Sequence, residues 1–364
     1  MQYLIFILAF YPFVLFFSNT FSNLKFNNIS CVIYYFFVFL VILAAGLRGN
    51  NDEYTRIFVL LPSLNDFYSW DFGLAHEKGI IFYIISSFFK TIGLNSQSIF
   101  LFFSGTAVFI HAFFFRKFTK YYFLAFMLYL SHEIAFKEFS GLRMGFASAL
   151  VLPMIYYLND KKNYKFLMLL VIASLVHYVA ILTVILFFLQ RKFHPNLLWF
   201  GLIFSLILYE THTVYNVMWW LSSKGYLTFS QFNNYDLIFH YMESIDYSYD
   251  AGYFHLKTLQ QVIVVSFLIY LYGYKNNNSS LYNLLFNTYY LSTILYIVFS
   301  ELALFAFRFG GHFYSVEPIL LTYIIYSFRQ KMTIVNLITV FALIIAFVNY
   351  VLIVRLDPYF LFAN

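Results

Sequence analysis

The sequence predicts an all-α, polytopic membrane protein, and three observations lead there. Of its 364 residues, 62% are hydrophobic, 24% aromatic and only 10% charged, a balance that a water-exposed surface of this size does not tolerate. Apolar runs approaching the roughly 20 residues that a helix needs to cross a bilayer recur from end to end. In hydrocarbon every backbone polar group must be satisfied within its own segment or a closed barrel, so runs of this length are helices.

In chain order the predicted spans cover residues 2–18, 30–47, 98–115, 121–135, 142–158, 166–189, 256–273, 281–299, 316–328 and 333–354, about 10 transmembrane helices in one integral membrane domain, 1–364. The first run lacks a basic leader and a small-residue cleavage site, so it reads as a span and not as a removable signal. Basic residues cluster in short loops: Arg116, Lys117 and Lys120; Lys161, Lys162 and Lys165; Arg329 and Lys331. The positive-inside rule makes those loops cytoplasmic. Parity then requires 79–92 and 197–209 to be re-entrant or interfacial helices that do not cross. This scheme leaves Arg191 and Lys192 outside. A rival scheme turns the chain back near His177 and lets 197–209 cross, which requires a hairpin without Gly or Pro. The continuous helix over 166–189 is the expectation adopted.

Both schemes leave 48–78, 136–141, 210–255 and 300–315 on the outer side. The extracytoplasmic loop 210–255 sets Glu210, Asp236, Glu243, Asp246 and Asp250 against Lys224 and is dense in Tyr and Trp. A loop of that length and aromatic content argues for a packed lid over a site. Cys31 is the only cysteine, so an internal disulfide is excluded. The formal charge of +6 is accounted for by topology signals, and no basic stripe suits nucleic acid.

Three arginines lie where an apolar run meets an outer loop, each beside glycine: Gly46-Leu47-Arg48-Gly49, Gly141-Leu142-Arg143 with Gly145, and Arg308-Phe309-Gly310-Gly311. A guanidinium offers a planar fork of donors matched to phosphate oxygens, and glycine permits close approach to the backbone. Three forks on one face would make a diphosphate site. Singly, each arginine is equally explained by snorkelling to the interface. Their shared outer placement, against the usual bias of basic residues, favours function.

His177 is the strongly polar residue at the middle of its apolar run. It suits a general base or a donor to phosphate or sugar, and is equally served by a structural hydrogen bond to a neighbouring helix. His312, four residues after Arg308, shares its face if the helix continues through the glycines. Asp52 and Glu77 place carboxylates at the outer surface, where one could accept a proton from a sugar hydroxyl; solvated loop charges are the plainer reading. No spacing of His and carboxylates suits a protein-bound metal, no cofactor is expected, and P-loop, GxSxG and HExxH patterns are absent.

The ordered set Gly46-Leu47-Arg48 with Asn51-Asp52-Glu53-Tyr54, Glu77-Lys78-Gly79 with Phe82-Tyr83, Gly141-Leu142-Arg143-Met144-Gly145-Phe146-Ala147, Ala173-Ser174-Leu175-Val176-His177, and Phe307-Arg308 leading to Phe313-Tyr314 resembles the EpsG-like branch of the Wzy-type exopolysaccharide and O-antigen polymerases. The chain departs from the family pattern at Glu53, Lys78, Met144 and Tyr178, where Thr, Pro, Gln and Ser are typical, and in Gly310-Gly311-His312. The resemblance implies a multi-pass glycosyltransferase of the bacterial cytoplasmic membrane, its active site facing outside, serving O-antigen, capsule or exopolysaccharide synthesis. Its donor and acceptor would be polyprenyl-diphosphate-linked oligosaccharides, its further partners membrane lipid and a chain-length regulator. Arg143 and Arg308, with Arg48 assisting, would meet the charge of the leaving diphosphate, and His177 or Glu77 would activate the acceptor hydroxyl. Asp52, Tyr54, His312, Trp219, Trp220 and Tyr226 would bind substrate, the last three by offering flat faces to sugars. A flippase of the same lipid-linked glycan and a membrane acyltransferase using His177 are the rival readings.

Overall fold

A computed structural model describes residues 27–47, 53–65, 79–134, 137, 141–224, 256–274, 279–326, 328 and 331–356. Among these every regular element is helical. We number the helices α1 (Asn27–Gly46), α2 (Glu53–Leu60), α3 (Ile80–Thr91), α4 (Gln97–Phe118), α5 (Tyr122–His132), α6 (Leu142–Ala149), α7 (Val151–Asn159), α8 (Asn163–Val176), α9 (Pro195–Glu210), α10 (Thr213–Ser223), α11 (Leu256–Tyr274), α12 (Ser280–Val298), α13 (Ala303–Phe313), α14 (Glu317–Tyr326) and α15 (Lys331–Leu356), with 3-10 segments at Tyr178–Phe187 and Tyr314–Val316. The all-α class therefore stands. The predicted first span, 2–18, lies outside the described residues. Two unbroken helices among those described, Ile29–Gly46 and Gln97–Phe118, are long and apolar enough to cross a membrane. Much of the remaining apolar length is divided into shorter helices.

The chain forms two compact units, residues 1–154, 164–180 and 317–364 in one and 155–163 and 181–316 in the other.

In the first unit α1 and α4 run antiparallel. The Tyr34 hydroxyl near the start of α1 donates to Ala112 O near the end of α4 at 3.0 Å, while Gly46 at the end of α1 lies against Leu101 at the start of α4. A Cβ on Gly46 would stand 2.9 Å from the Leu101 Cα, so this glycine permits helix contact; the sequence had suggested ligand approach instead. At the basic end of α4, which carries Arg116 and Lys117, Tyr323 OH donates to Phe118 O at 3.1 Å and Thr322 and Thr119 share a 2.9 Å hydrogen bond. The last turns of α14, just ahead of Arg329 and Lys331, thus meet the end of the bundle that holds Arg116, Lys117 and Lys120. Lys90 closes α2: its ammonium donates to Val59 O at 2.8 Å and to Leu61 O, with Phe58 O at 3.5 Å. Beside it Leu64 N donates to Thr91 Oγ1 at 2.8 Å.

The predicted span 142–158 is interrupted between α6 and α7. Pro153 has no N–H to give the Ala149 carbonyl, and the hydrogen-bond ladder lapses there. The continuous helix expected over 166–189 is also corrected. α8 ends at Val176; His177 N still donates to Ala173 O in the α-helical pattern, whereas Ala180 N donates back to His177 O, a three-residue step that begins the 3-10 segment.

In the second unit α9, which contains 197–209, is followed by α10 with a bend of 59° between them, the geometry of a broken span or of a re-entrant loop. Residues 213–223 and 303–313, expected within outer loops, are the helices α10 and α13. α13 lies tightly along α12. Ser292 Oγ donates to Gly310 O at 2.7 Å, and a Cβ on Gly310 would come within 2.9 Å of Ser292 O. At the turn between α7 and α8, hydrogen bonding to Asp160 raises the Lys162 ammonium above the ordinary lysine value. That loop therefore keeps its cation throughout the neutral range. Whatever the pair contributes is present below the ordinary lysine pKa and is lost as pH rises through the raised one.

Candidate functional site

Three of the sequence motifs meet in the first unit, and α3 joins them. At its start Gly79 has φ +88°, and a Cβ there would stand 2.2 Å from Val176 O and 3.2 Å from Leu175 O. Only glycine fits, both because the left-handed backbone disfavours a side chain and because the C-terminal carbonyls of α8 occupy its place. His177 follows that carbonyl directly. It is 7% exposed, its ring stacked on Tyr178 with centroids 5.4 Å apart and planes 13° from parallel.

One turn into α3, Phe82 is fully buried and forms a floor beneath Arg143, whose Cζ lies 5.9 Å from the ring centroid. Such a cation over an aromatic face contributes about 0.5–2 kcal/mol, more as water is excluded. Phe82 in turn rests on Phe103 of α4 at 5.3 Å, and Phe103 on Phe146 of α6 at 5.3 Å. The guanidinium is half-buried at the first turn of α6, where the unsatisfied N–H groups of a helix terminus add to its attraction for an anion. Phe103 is fifteen residues from Phe118, which at about 1.5 Å per residue puts this cluster about 22 Å along α4 from its basic end. Gly46, the residue two before Arg48, lies at that same distal end.

In the second unit Arg308 and His312 both fall in α13, which continues unbroken through Gly310 and Gly311. Their four-residue spacing therefore puts them on one helix face. Arg308 is partly exposed and His312 fully buried, its ring edge-on to Phe313 at 5.7 Å. α10 packs Tyr215 and Met218 onto Leu302 and Phe305 with Phe299 and Phe309. His212, ahead of α10, pairs through Nδ1 with Glu301 ahead of α13. α10 leaves Trp219 and Trp220 exposed at 41% and 54%, so two aromatic faces of the predicted lid belong to a helix docked beside the Arg308 helix. Tyr54 lies in α2. Arg48, Asp52, Glu77 and Tyr226 lie outside the described residues.

Sequence reasoning missed one charged feature. Lys137 Nζ donates to Glu133 Oε2 at 2.7 Å, with side-chain exposures of 3% and 1%. The four-residue Glu-to-Lys spacing was the available signal. Among the described residues no three of His, Cys, Asp and Glu gather as a metal-holding group.

Neither the curated proteins nor the solved structures contain a match to this chain. The EpsG family model matches residues 29–363, a range that includes every motif quoted above and nearly the whole chain. This membrane-embedded protein of polysaccharide-polymerase type belongs to the EpsG family, a family of Wzy-like polymerases.

Proposed function

We propose that this chain polymerises polysaccharide on the outer face of a bacterial cytoplasmic membrane, joining polyprenyl-diphosphate-linked oligosaccharide units. The observation that carries this reading is that α3 sets Phe82 beneath Arg143 and Gly79 against the Val176 carbonyl that directly precedes His177, at the end of α4 opposite Arg116 and Lys117. With the basic end inside, the cluster opens to the outside.

In the reaction the acceptor hydroxyl oxygen bonds to the anomeric carbon of the donor. The bond from that carbon to the diphosphate oxygen breaks, the electron pair leaves with the polyprenyl diphosphate, and the hydroxyl proton passes to His177, with Glu77 the alternative acceptor. Arg143 holds the diphosphate and meets the charge that grows as the bond breaks. Its fork matches two phosphate oxygens, and Phe82 keeps its plane fixed before substrate arrives. Arg48 and Arg308 take the same charge-binding role on the chemistry of their side chains. Asp52, Tyr54, His312 and the aromatic residues Trp219, Trp220 and Tyr226 hold the glycan.

The test is complementation of a strain lacking the gene, with surface glycan resolved by length. Arg143→Ala should lower polymer formation by about 10²–10³-fold, the usual cost of one charge-stabilising donor. Arg143→Lys should recover only part of it, because a point charge does not reproduce the fork. His177→Ala should lower it by about 10²–10⁴-fold. In each variant single units should still reach the surface. Lipid-linked units trapped on the inner leaflet would reject polymerisation in favour of transport.

A further inference from the structure

The Glu133–Lys137 pair has no part in the reaction just described, yet it occupies a telling place. Both side chains are at least nine-tenths buried in a chain with few charges. One carboxylate oxygen receives the ammonium; the other, Oε1, is buried without a hydrogen-bond partner. A buried ion pair that is only half satisfied is a poor source of stability, and apolar side chains of similar volume usually serve a core as well or better. Such pairs are best attested as devices that fix register or orientation.

The backbone shows what this one fixes. Lys137 N donates to Glu133 O, Gly141 N donates to Lys137 O, and Gly145 N donates to Gly141 O, at 3.0, 3.0 and 2.7 Å. Gly141 is therefore both the end of the turn that carries Lys137 and the N-cap of α6, with non-helical φ −112° and ψ 55°. Arg143 is two residues further on. A tether between Glu133 and Lys137, whose carbonyl receives the Gly141 N–H, sets where Gly141 begins α6, and so the direction of the guanidinium over Phe82. At its other end Glu133 is the C-cap of α5, its N–H donating to Tyr129 O at 3.0 Å, so the pair is anchored to the end of that helix.

We infer that the Glu133–Lys137 ion pair is a positioning device for Arg143, holding the entry to α6 in the orientation that the anionic substrate requires. The inference deepens the polymerase reading and rests on it for its functional consequence; its structural consequence is separately measurable.

The experiment uses the full-length chain with Cys31→Ser, so that a cysteine replacing Arg143 is the only thiol, and follows its labelling by a membrane-impermeant maleimide. Glu133→Gln, Lys137→Met, the exchanged pair Glu133→Lys with Lys137→Glu, and the apolar pair Glu133→Leu with Lys137→Met are compared. Expected are altered labelling at position 143 in both single variants and in the apolar pair, and recovery of the parental rate in the exchanged pair. With Arg143 retained, the apolar pair should keep the parental melting temperature while kcat for the lipid-linked unit falls about 100-fold, the scale of a misplacement near 1 Å. An apolar pair with parental labelling and parental kcat overturns the inference, and if the single variants fail to accumulate, the two double variants decide alone. Labelling that follows the expected pattern in a chain that makes no polymer would reject the polymerase reading and leave the positioning role standing.

Discussion

Gly79 and Phe82 carry the site as directly as the charged residues do. A methyl group at Gly79 collides with Val176 O and sits on a left-handed backbone, so Gly79→Ala should destabilise the protein by about 1–3 kcal/mol and lower its thermal midpoint. Because the displaced carbonyl adjoins His177, polymer yield should fall further than the loss of folded protein explains. Phe82→Leu removes the face beneath Arg143 while keeping most of the buried volume. It should weaken substrate binding by about 0.5–2 kcal/mol, read as a rise in KM, whereas Phe82→Tyr should retain parental affinity. The identities of these residues were legible in the sequence as motif members, but their reason was not. Gly46 and Gly310 drew attention as neighbours of arginines, and ligand approach was the evident explanation. The structure uses both for helix-to-helix contact, a pairing that no local pattern reveals.

Hydropathy located the apolar segments because burying them is a property summed over many residues, and such sums survive local irregularity. Winding is different. The change at His177 and the interruption at Pro153 each depend on a hydrogen bond or two, and a window of apolar residues reads the same on either side of them. Gly310-Gly311 misled in the opposite direction. Glycine is a poor helix former, costing about 1 kcal/mol per residue relative to alanine, yet α13 keeps its helix through both because close packing on α12 repays the loss. Gly310→Ala should therefore be destabilising despite the better intrinsic propensity, since its Cβ would press within 2.9 Å of Ser292 O. Ser292→Ala, which removes the hydrogen bond to Gly310 O, should cost only about 1 kcal/mol. Thermal unfolding of the two variants in detergent separates the steric term from the hydrogen-bond term, and a more stable Gly310→Ala protein would contradict the packing account. The pair Glu133–Lys137 was legible by spacing alone, but spacing does not tell a buried pair from a solvated one.

At the scale of the molecule, the first unit assigns its two ends different chemistry. One end gathers Arg116, Lys117 and Lys120 with the close of α14; the distal end of α4 holds Gly46 and the Arg143 cluster. The proposed orientation puts the first inside and the second outside. In a Cys31→Ser background, Leu47→Cys should react with an impermeant maleimide added to intact cells, and Lys120→Cys only after the membrane is opened. Equal reaction from one side would dismantle the topology on which the polymerase reading depends.

The cap on α2 has a consequence for how this protein meets amine chemistry. Lys90 has its N–H bonds committed to the carbonyls of Val59 and Leu61, with that of Phe58 close by, whereas Lys162 stands in open solvent beside Asp160. An acylating reagent should consume Lys162 first and reach Lys90 only when the end of α2 lets go. Its slow acylation is then a clock for the loosening of the helix that carries Tyr54.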